Sequence, residues 1–192
     1  MKKLMLVAAA LCIGLAFGEE EQMKPYGGKG VLAIVNACDA PTGALQSAAR
    51  KFGNLLTIYT DVRKGDWRLA DAQKCFDAAK ANAAVFVVKD KALPLSLVAM
   101  EGKWGMANVE GLDEKGVEKI VLRVASLVMG GGSSKYSASV MRPAFSASDV
   151  TKLEDVVTFD VMMNIDTYMK DLGFEPFRML SKEEAIAEGY VK

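Results

Sequence analysis

Ala83-Ala84-Val85-Phe86-Val87-Val88 is a run of six apolar residues without alternation, bounded by Asn82 and Lys89. A strand of that composition needs cover on both faces, as in a sheet held between helices. Val31 to Ala37 has the same character, and Leu55 to Val62 supplies a second strand between the two. The intervals are helical. Pro41 opens a helix whose Leu45, Ala48, Ala49 and Phe52 recur at helical spacing until Gly53. Leu69, Ala72, Cys75, Phe76 and Ala79 trace one face of a second helix, ending near Asn82. The order β-α-β-α-β predicts a largely parallel sheet, because helical crossovers return each strand in the same direction.

Further along, Leu95–Met100 and Trp104–Val109 flank Glu101-Gly102-Lys103 and predict a hairpin that adds antiparallel edge strands. A long helix follows over Asp113–Met129, with Val117, Ile120, Val121, Val124, Leu127 and Val128 facing the core and Gly130 to Gly132 ending it. Ser133 to Ser148 is a long ordered loop, Asp149 to Glu154 a helical turn, and Val161 to Leu172 the last substantial helix. Ser181 and Glu184 form the capping box of a short terminal one. The expected fold class is α/β: a single three-layer domain over 30–192. Its sheet is mixed and mostly parallel, with about five strands, helices on both faces and an antiparallel edge hairpin. No internal repeat is visible.

Residues 1–18 have the layout of a signal peptide. Lys2 and Lys3 precede an apolar run from Leu4 to Leu15, and Ala16 and Gly18 place small residues before a cut ahead of Glu19. Such a run spans only roughly 20 Å as a helix, against the roughly 30 Å hydrocarbon core of a bilayer. Cleavage is therefore expected rather than stable membrane insertion. Leu11 stands before Cys12 where lipidation requires a small residue, so no lipid anchor is expected. The expected location is periplasmic or secreted, and 19–29 is a polar, breaker-rich and flexible lead-in.

Loss of Lys2 and Lys3 lowers the basic residues from 24 to 22 against 24 acids, about −2. That balance gives no electrostatic reason to seek nucleic acid or anionic lipid. Partners are left as an unknown protein or small ligand. The chain contains no histidine, which removes Ser-His-Asp and Cys-His catalysis and every zinc site built on imidazoles. Cys38 and Cys75 either pair in an oxidising compartment or sit as two separate buried thiols. They do not form C-x-x-C. The glycine runs Gly27-Gly28-Lys29-Gly30 and Gly130-Gly131-Gly132-Ser133-Ser134-Lys135 lack the strand-to-helix context of a phosphate loop. Ser133, Ser134 and Ser137 near Lys135 could make a Ser-Lys nucleophile, but the simpler account is a connection. Met162, Met163 and Met169 have helical packing spacing and no copper-site repetition.

The segment Arg123-Val124-Ala125-Ser126-Leu127-Val128-Met129-Gly130-Gly131-Gly132-Ser133 resembles the active-site helix of the metzincin peptidases, in particular the archaemetzincins. That family carries H-E-x-x-H-x-x-G-x-x-H on this helix, then a C-x-M turn and a later C-x-x-C pair. Gly130 matches the turn glycine, Ser139-Val140-Met141 stands at C-x-M, and Phe159-Asp160-Val161-Met162 falls near C-x-x-C. The resemblance implies a mixed sheet with an antiparallel edge strand beside a cleft. In the same frame Arg123, Leu127 and Ser133 occupy the ligand positions and Val124 the catalytic glutamate. These residues imply a lost zinc site.

The expected function is an exported, non-catalytic α/β domain, a degenerate metallopeptidase-like fold whose cleft is filled by apolar residues or reused for binding. No catalytic, metal or cofactor residue is assigned. One alternative is a periplasmic or secreted ligand-binding module, with its site in the loops Asn36–Asp39, Asp61–Asp66 and Lys89–Asp90. Another is a histidine-independent hydrolase, for which Asp61, Arg63 and Asp66 form the best polar cluster.

Overall fold

Val31–Asn36 (β1) and Ala83–Val88 (β3) lie side by side in parallel, with Leu32 opposite Ala83 and Asn36 opposite Val87. All six residues of β3 are buried, as an unalternating apolar run requires. The computed structural model describes residues 30–56, 59–143, 145–175 and 181–187. The expected signal peptide and lead-in lie outside the described residues.

Five strands form one sheet in the order β2-β1-β3-β5-β4, with β2 at Tyr59–Lys64, β4 at Ser96–Ala99 and β5 at Trp104–Asn108. The β1–β2, β1–β3 and β3–β5 pairs are parallel, and β4–β5 is antiparallel. The expected edge hairpin is present as the antiparallel β4–β5 pair, with a defined place in the sheet. Its second strand runs parallel beside β3 in the interior, so only β4 is an antiparallel edge strand. The physical reason lies in the sequence of β5, where Gly105, Met106, Ala107 and Asn108 are buried and need neighbours on both sides.

Helices cover both faces. Thr42–Leu56 (α1) and Glu114–Val128 (α3) pack over one face, burying Leu32, Ile34, Val85 and Val87. The opposite face is smaller and holds Ala33, Val35, Ala84 and Phe86 under Ala72–Ala79 (α2), with Trp67 stacked on Phe86 at 5.6 Å. Phe159–Tyr168 (α4) adds Val161 and Ile165 to the larger core, and Lys182–Ala187 is a short α5. Its Ser181–Glu184 capping box is present in both directions.

Several boundaries shift. The first helix continues past Gly53 to Leu56, because a helix tolerates an interior glycine at about 1 kcal/mol. The second strand therefore starts at Tyr59 and extends over Arg63 and Lys64, expected as part of a turn. An edge strand accepts those charges: Arg63 donates to the Ala79 carbonyl at 2.8 Å and pairs with Asp61, while Val62 packs on the core. Leu69–Asp71 is a 3-10 turn leading into α2, which stops at Ala79 where Lys80 turns left-handed (φ 49°). The turn near Asp149 is a 3-10 segment over Ala147–Lys152, and α4 ends at Tyr168 rather than Leu172.

Candidate functional site: a cleft under the edge strand

The C-terminal half of α3 passes directly beneath the sheet edge. Val124 and Val128 sit so close to β5 that a Cβ on Gly105 would lie 2.6 Å from a methyl of each. Glycine at that position permits the approach. The helix then stops at a Schellman motif, with the Gly131 amide bonded to the Ser126 carbonyl and the Gly130 amide to the Leu127 carbonyl, both at 2.9 Å. Gly130 is left-handed (φ 84°), and a Cβ there would meet the Tyr168 ring at 2.6 Å.

Beyond the turn the chain doubles back beside the helix. Ser134 receives a hydrogen bond from the Thr158 hydroxyl at 2.8 Å, and its amide donates to the Met141 carbonyl. Ser139 donates its hydroxyl to the Val156 carbonyl at 2.6 Å, while Val140 and Met141 are fully buried in the main core. The residues expected to be a long ordered loop are thus tied down by buried bonds.

Arg123 connects these parts. It is 7% exposed, with Nη1 donating to the Val140 carbonyl at 2.6 Å and the Arg142 carbonyl at 2.9 Å. Nη2 reaches the Pro143 carbonyl at 3.4 Å and Nε the Ser96 hydroxyl of β4 at 3.3 Å. The Phe145 ring lies 4.8 Å from the guanidinium carbon, a cation–π arrangement. Burial pushes the guanidinium below its ordinary range. One side chain therefore ties helix, loop and edge strand together.

Two cavities of about 500 and 520 Å³ open on either side of this contact, both lined by Ser96, Arg123 and Pro143. The first extends to Asp90, Lys91 and Glu110. The second runs along Val98, Met100 and Leu127 to Gly130. Leu127, expected to face the core, packs against it but is only half-buried, because its outer side also lines this wall. Val124 is fully buried, and Ser133 is exposed beyond the glycine turn.

The other candidate clusters do not assemble comparably. Of the three strand-end loops, only Lys89–Asp90 contributes to the cleft, through Asp90; Asp39 and Lys64 form an exposed pair at 3.4 Å. Asp61 is engaged by Arg63 beside α2, and Asp66 is exposed. Lys135 and Ser137 are exposed, and the Ser134 hydroxyl is engaged by Thr158 and the Tyr136 amide. Cys38 packs against the larger core and Cys75 against the smaller one, so both are free thiols on opposite faces of the sheet. Among the described residues no three His, Cys, Asp or Glu side chains gather as metal donors.

The structural task of Arg123 goes beyond its place in the motif frame. The available signal was its position: a guanidinium three residues after Ile120 and four before Leu127, inside an otherwise apolar stripe, needs a polar destination. Phe145 and Ser96 carried no comparable mark.

No protein-family model matches this chain, and no curated protein matches its sequence. Solved structures do match its fold. An archaemetzincin from Methanopyrus kandleri superposes with a TM-score of 0.60 at 11% identity, covering 73% of this chain and 96% of its own. A zinc-dependent peptidase from Methanocorpusculum labreanum gives 0.54 at 8% identity, covering 70% and 99%. An archaemetzincin from Archaeoglobus fulgidus, complexed with malonate, gives 0.50 at 14% identity, also covering 70% and 99%. The likeness establishes an archaemetzincin-like α/β fold.

Proposed function

We propose that this protein is an exported, non-catalytic relative of the archaemetzincin-type peptidases, whose cleft serves binding rather than hydrolysis. The observation that carries the reading is Arg123. In the motif frame it stands at a zinc-ligand position, yet its guanidinium donates to the Val140, Arg142 and Pro143 carbonyls. A guanidinium has no lone pair for a metal and repels a cation.

The rest of the frame does not fit zinc either. Leu127 offers only carbon, Ser133 is exposed past the glycine turn, and Val124 is packed against Gly105 where a peptidase would need a carboxylate. These residues supply neither a metal ligand nor a base for hydrolysis. The open cavities beside Arg123 favour a binding role over a purely filled core.

Two experiments test the proposal. Incubation of the purified full chain with a mixed peptide library, with and without added zinc, should leave every peptide intact by mass spectrometry. Zinc-dependent, chelator-sensitive cleavage contradicts it. Export is checked separately by expressing the chain with a C-terminal tag: the exported product should begin at Glu19, and retention of residues 1–18 would refute cleavage.

A further inference from the structure

We infer that the cleft binds a carboxylate bearing an apolar tail, with the carboxylate on Arg123 and the tail along Leu127, Val98 and Met100. The inference rests on the cleft being metal-free. Its starting point is an unpaired charge. Arg123 is 93% buried by its 7% exposure, and every acceptor it meets is neutral: three carbonyls and the Ser96 hydroxyl. Among the described residues no carboxylate forms an ion pair with it. Buried charges are normally paired, because an uncompensated one keeps its full desolvation cost.

The hydrogen-bond count leaves room for a ligand. Nη1 spends both of its N–H groups on Val140 and Arg142, whereas Nη2 has one long bond, to Pro143, and a second N–H with no acceptor among the described residues. The Nε bond to Ser96 is also long, at 3.3 Å. A carboxylate oxygen is a stronger acceptor than a hydroxyl or a distant carbonyl and can engage the Nη2 side of the fork. Arg142 does not compete for that ligand, since it already faces Asp149 at 3.6 Å.

The two cavities separate the ligand's ends. In the one containing Leu127, Arg123 is the sole charged residue among the described lining residues, beside Val98, Met100 and Pro143. The neighbouring cavity contains Asp90 and Glu110 as well as Lys91, so its acids would repel a second negative group. A single carboxylate next to an apolar tail matches the first cavity, and a dianion matches neither. The volume, about 520 Å³, suits a small ligand.

That chemistry has two sources, a free medium-chain fatty acid and the C-terminus of an apolar peptide. Calorimetric titration of the full chain, freed of metal by chelator, separates them with octanoate and with acetyl-Ala-Ala-Val-Leu carrying a free carboxylate. Octanol and the peptide's C-terminal amide are the neutral controls. Saturable binding of either carboxylate, weakened about tenfold or more in its neutral control, is the expected result, because the neutral groups offer the guanidinium no charged acceptor.

The decisive variant is Leu127→Glu. It adds a carboxylate one turn from Arg123, satisfies the guanidinium internally, and keeps the carbonyl bonds that hold the loop. Affinity should fall about tenfold or more while the circular-dichroism melt is retained. Arg123→Met, checked for folding by urea titration, should lose binding as well. No binding by either carboxylate, equal binding of the neutral controls, or unchanged affinity in Leu127→Glu overturns the inference while leaving the metal-free reading intact. Carboxylate binding that requires added zinc overturns both.

Discussion

Arg123→Met removes a buried guanidinium from the junction of α3, β4 and the Val140–Pro143 loop, and its effect can be worked from the contacts. The Val140 carbonyl, which accepts at 2.6 Å in a buried setting, loses its charged donor and stays enclosed. An orphaned buried acceptor costs about 1–3 kcal/mol. The Arg142 and Pro143 carbonyls are partly buried at the cleft and can turn to water, so their loss adds less. The Phe145 contact contributes about 0.5–1 kcal/mol more. Against this stands relief of the desolvation of an unpaired charge, which in some proteins makes a buried ionic group dispensable. The bonds to Val140 and Arg142 are short enough to outweigh it, so the net loss is about 2–3 kcal/mol. For a domain of this size that lowers the melting temperature by roughly 4–12 °C. Urea and thermal denaturation of the full chain give the measurement, with Phe145→Leu as a control losing about 1 kcal/mol or less. A methionine variant as stable as the parent, or more so, would refute the assignment of Arg123 as the strut of the loop.

Other predictions follow from separate parts of the fold. Gly130→Ala forces a side chain onto a left-handed residue and against the Tyr168 ring, and should destabilise by about 1–3 kcal/mol in the same urea assay. Gly105→Ala, at the contact with Val124 and Val128, should push α3 off the sheet; altered amide shifts in both elements are expected, and an unchanged spectrum would contradict the packing. Burial raises the pKa of Glu118, but hydrogen bonds from Lys51 and Ser47 outweigh it and leave the carboxyl below its usual value of 4.5. Its contribution is therefore present above that unfolded value and lost as pH falls through the lower folded one, so Glu118→Gln should flatten the acid limb of the stability profile. The effect is small because Lys51 is 38% exposed. Cys38 and Cys75 should both react with a thiol reagent in the unfolded, unreduced protein; a mass two protons lower than the reduced chain would indicate a bond between them.

The layering was legible because it rests on local pattern. An unalternating Ala83–Val88 must be covered on both faces, and the stripe Val117, Ile120, Val121, Val124 can face only a core. The place of β5 was harder to see. The short Glu101-Gly102-Lys103 link marks Trp104–Asn108 as the partner of β4 but leaves open which strand borders its other edge, and tertiary packing puts it beside β3. The fold of the long loop was partly legible through Gly130 and Met141. Its anchoring was not, because Arg123 reaches carbonyls 17 to 20 residues later, and a backbone carbonyl leaves no mark in a sequence. The same limit hid the cleft, which is made by side chains from β4, α3 and the Pro143 loop rather than by a contiguous motif.

Metal content tests the central claim most directly. The full chain, equilibrated with excess zinc, passed through a desalting column and measured by elemental mass spectrometry against protein concentration, should retain no stoichiometric zinc, and Arg123→Met should retain none either. One zinc per chain, held through desalting and released by chelator, would contradict the account.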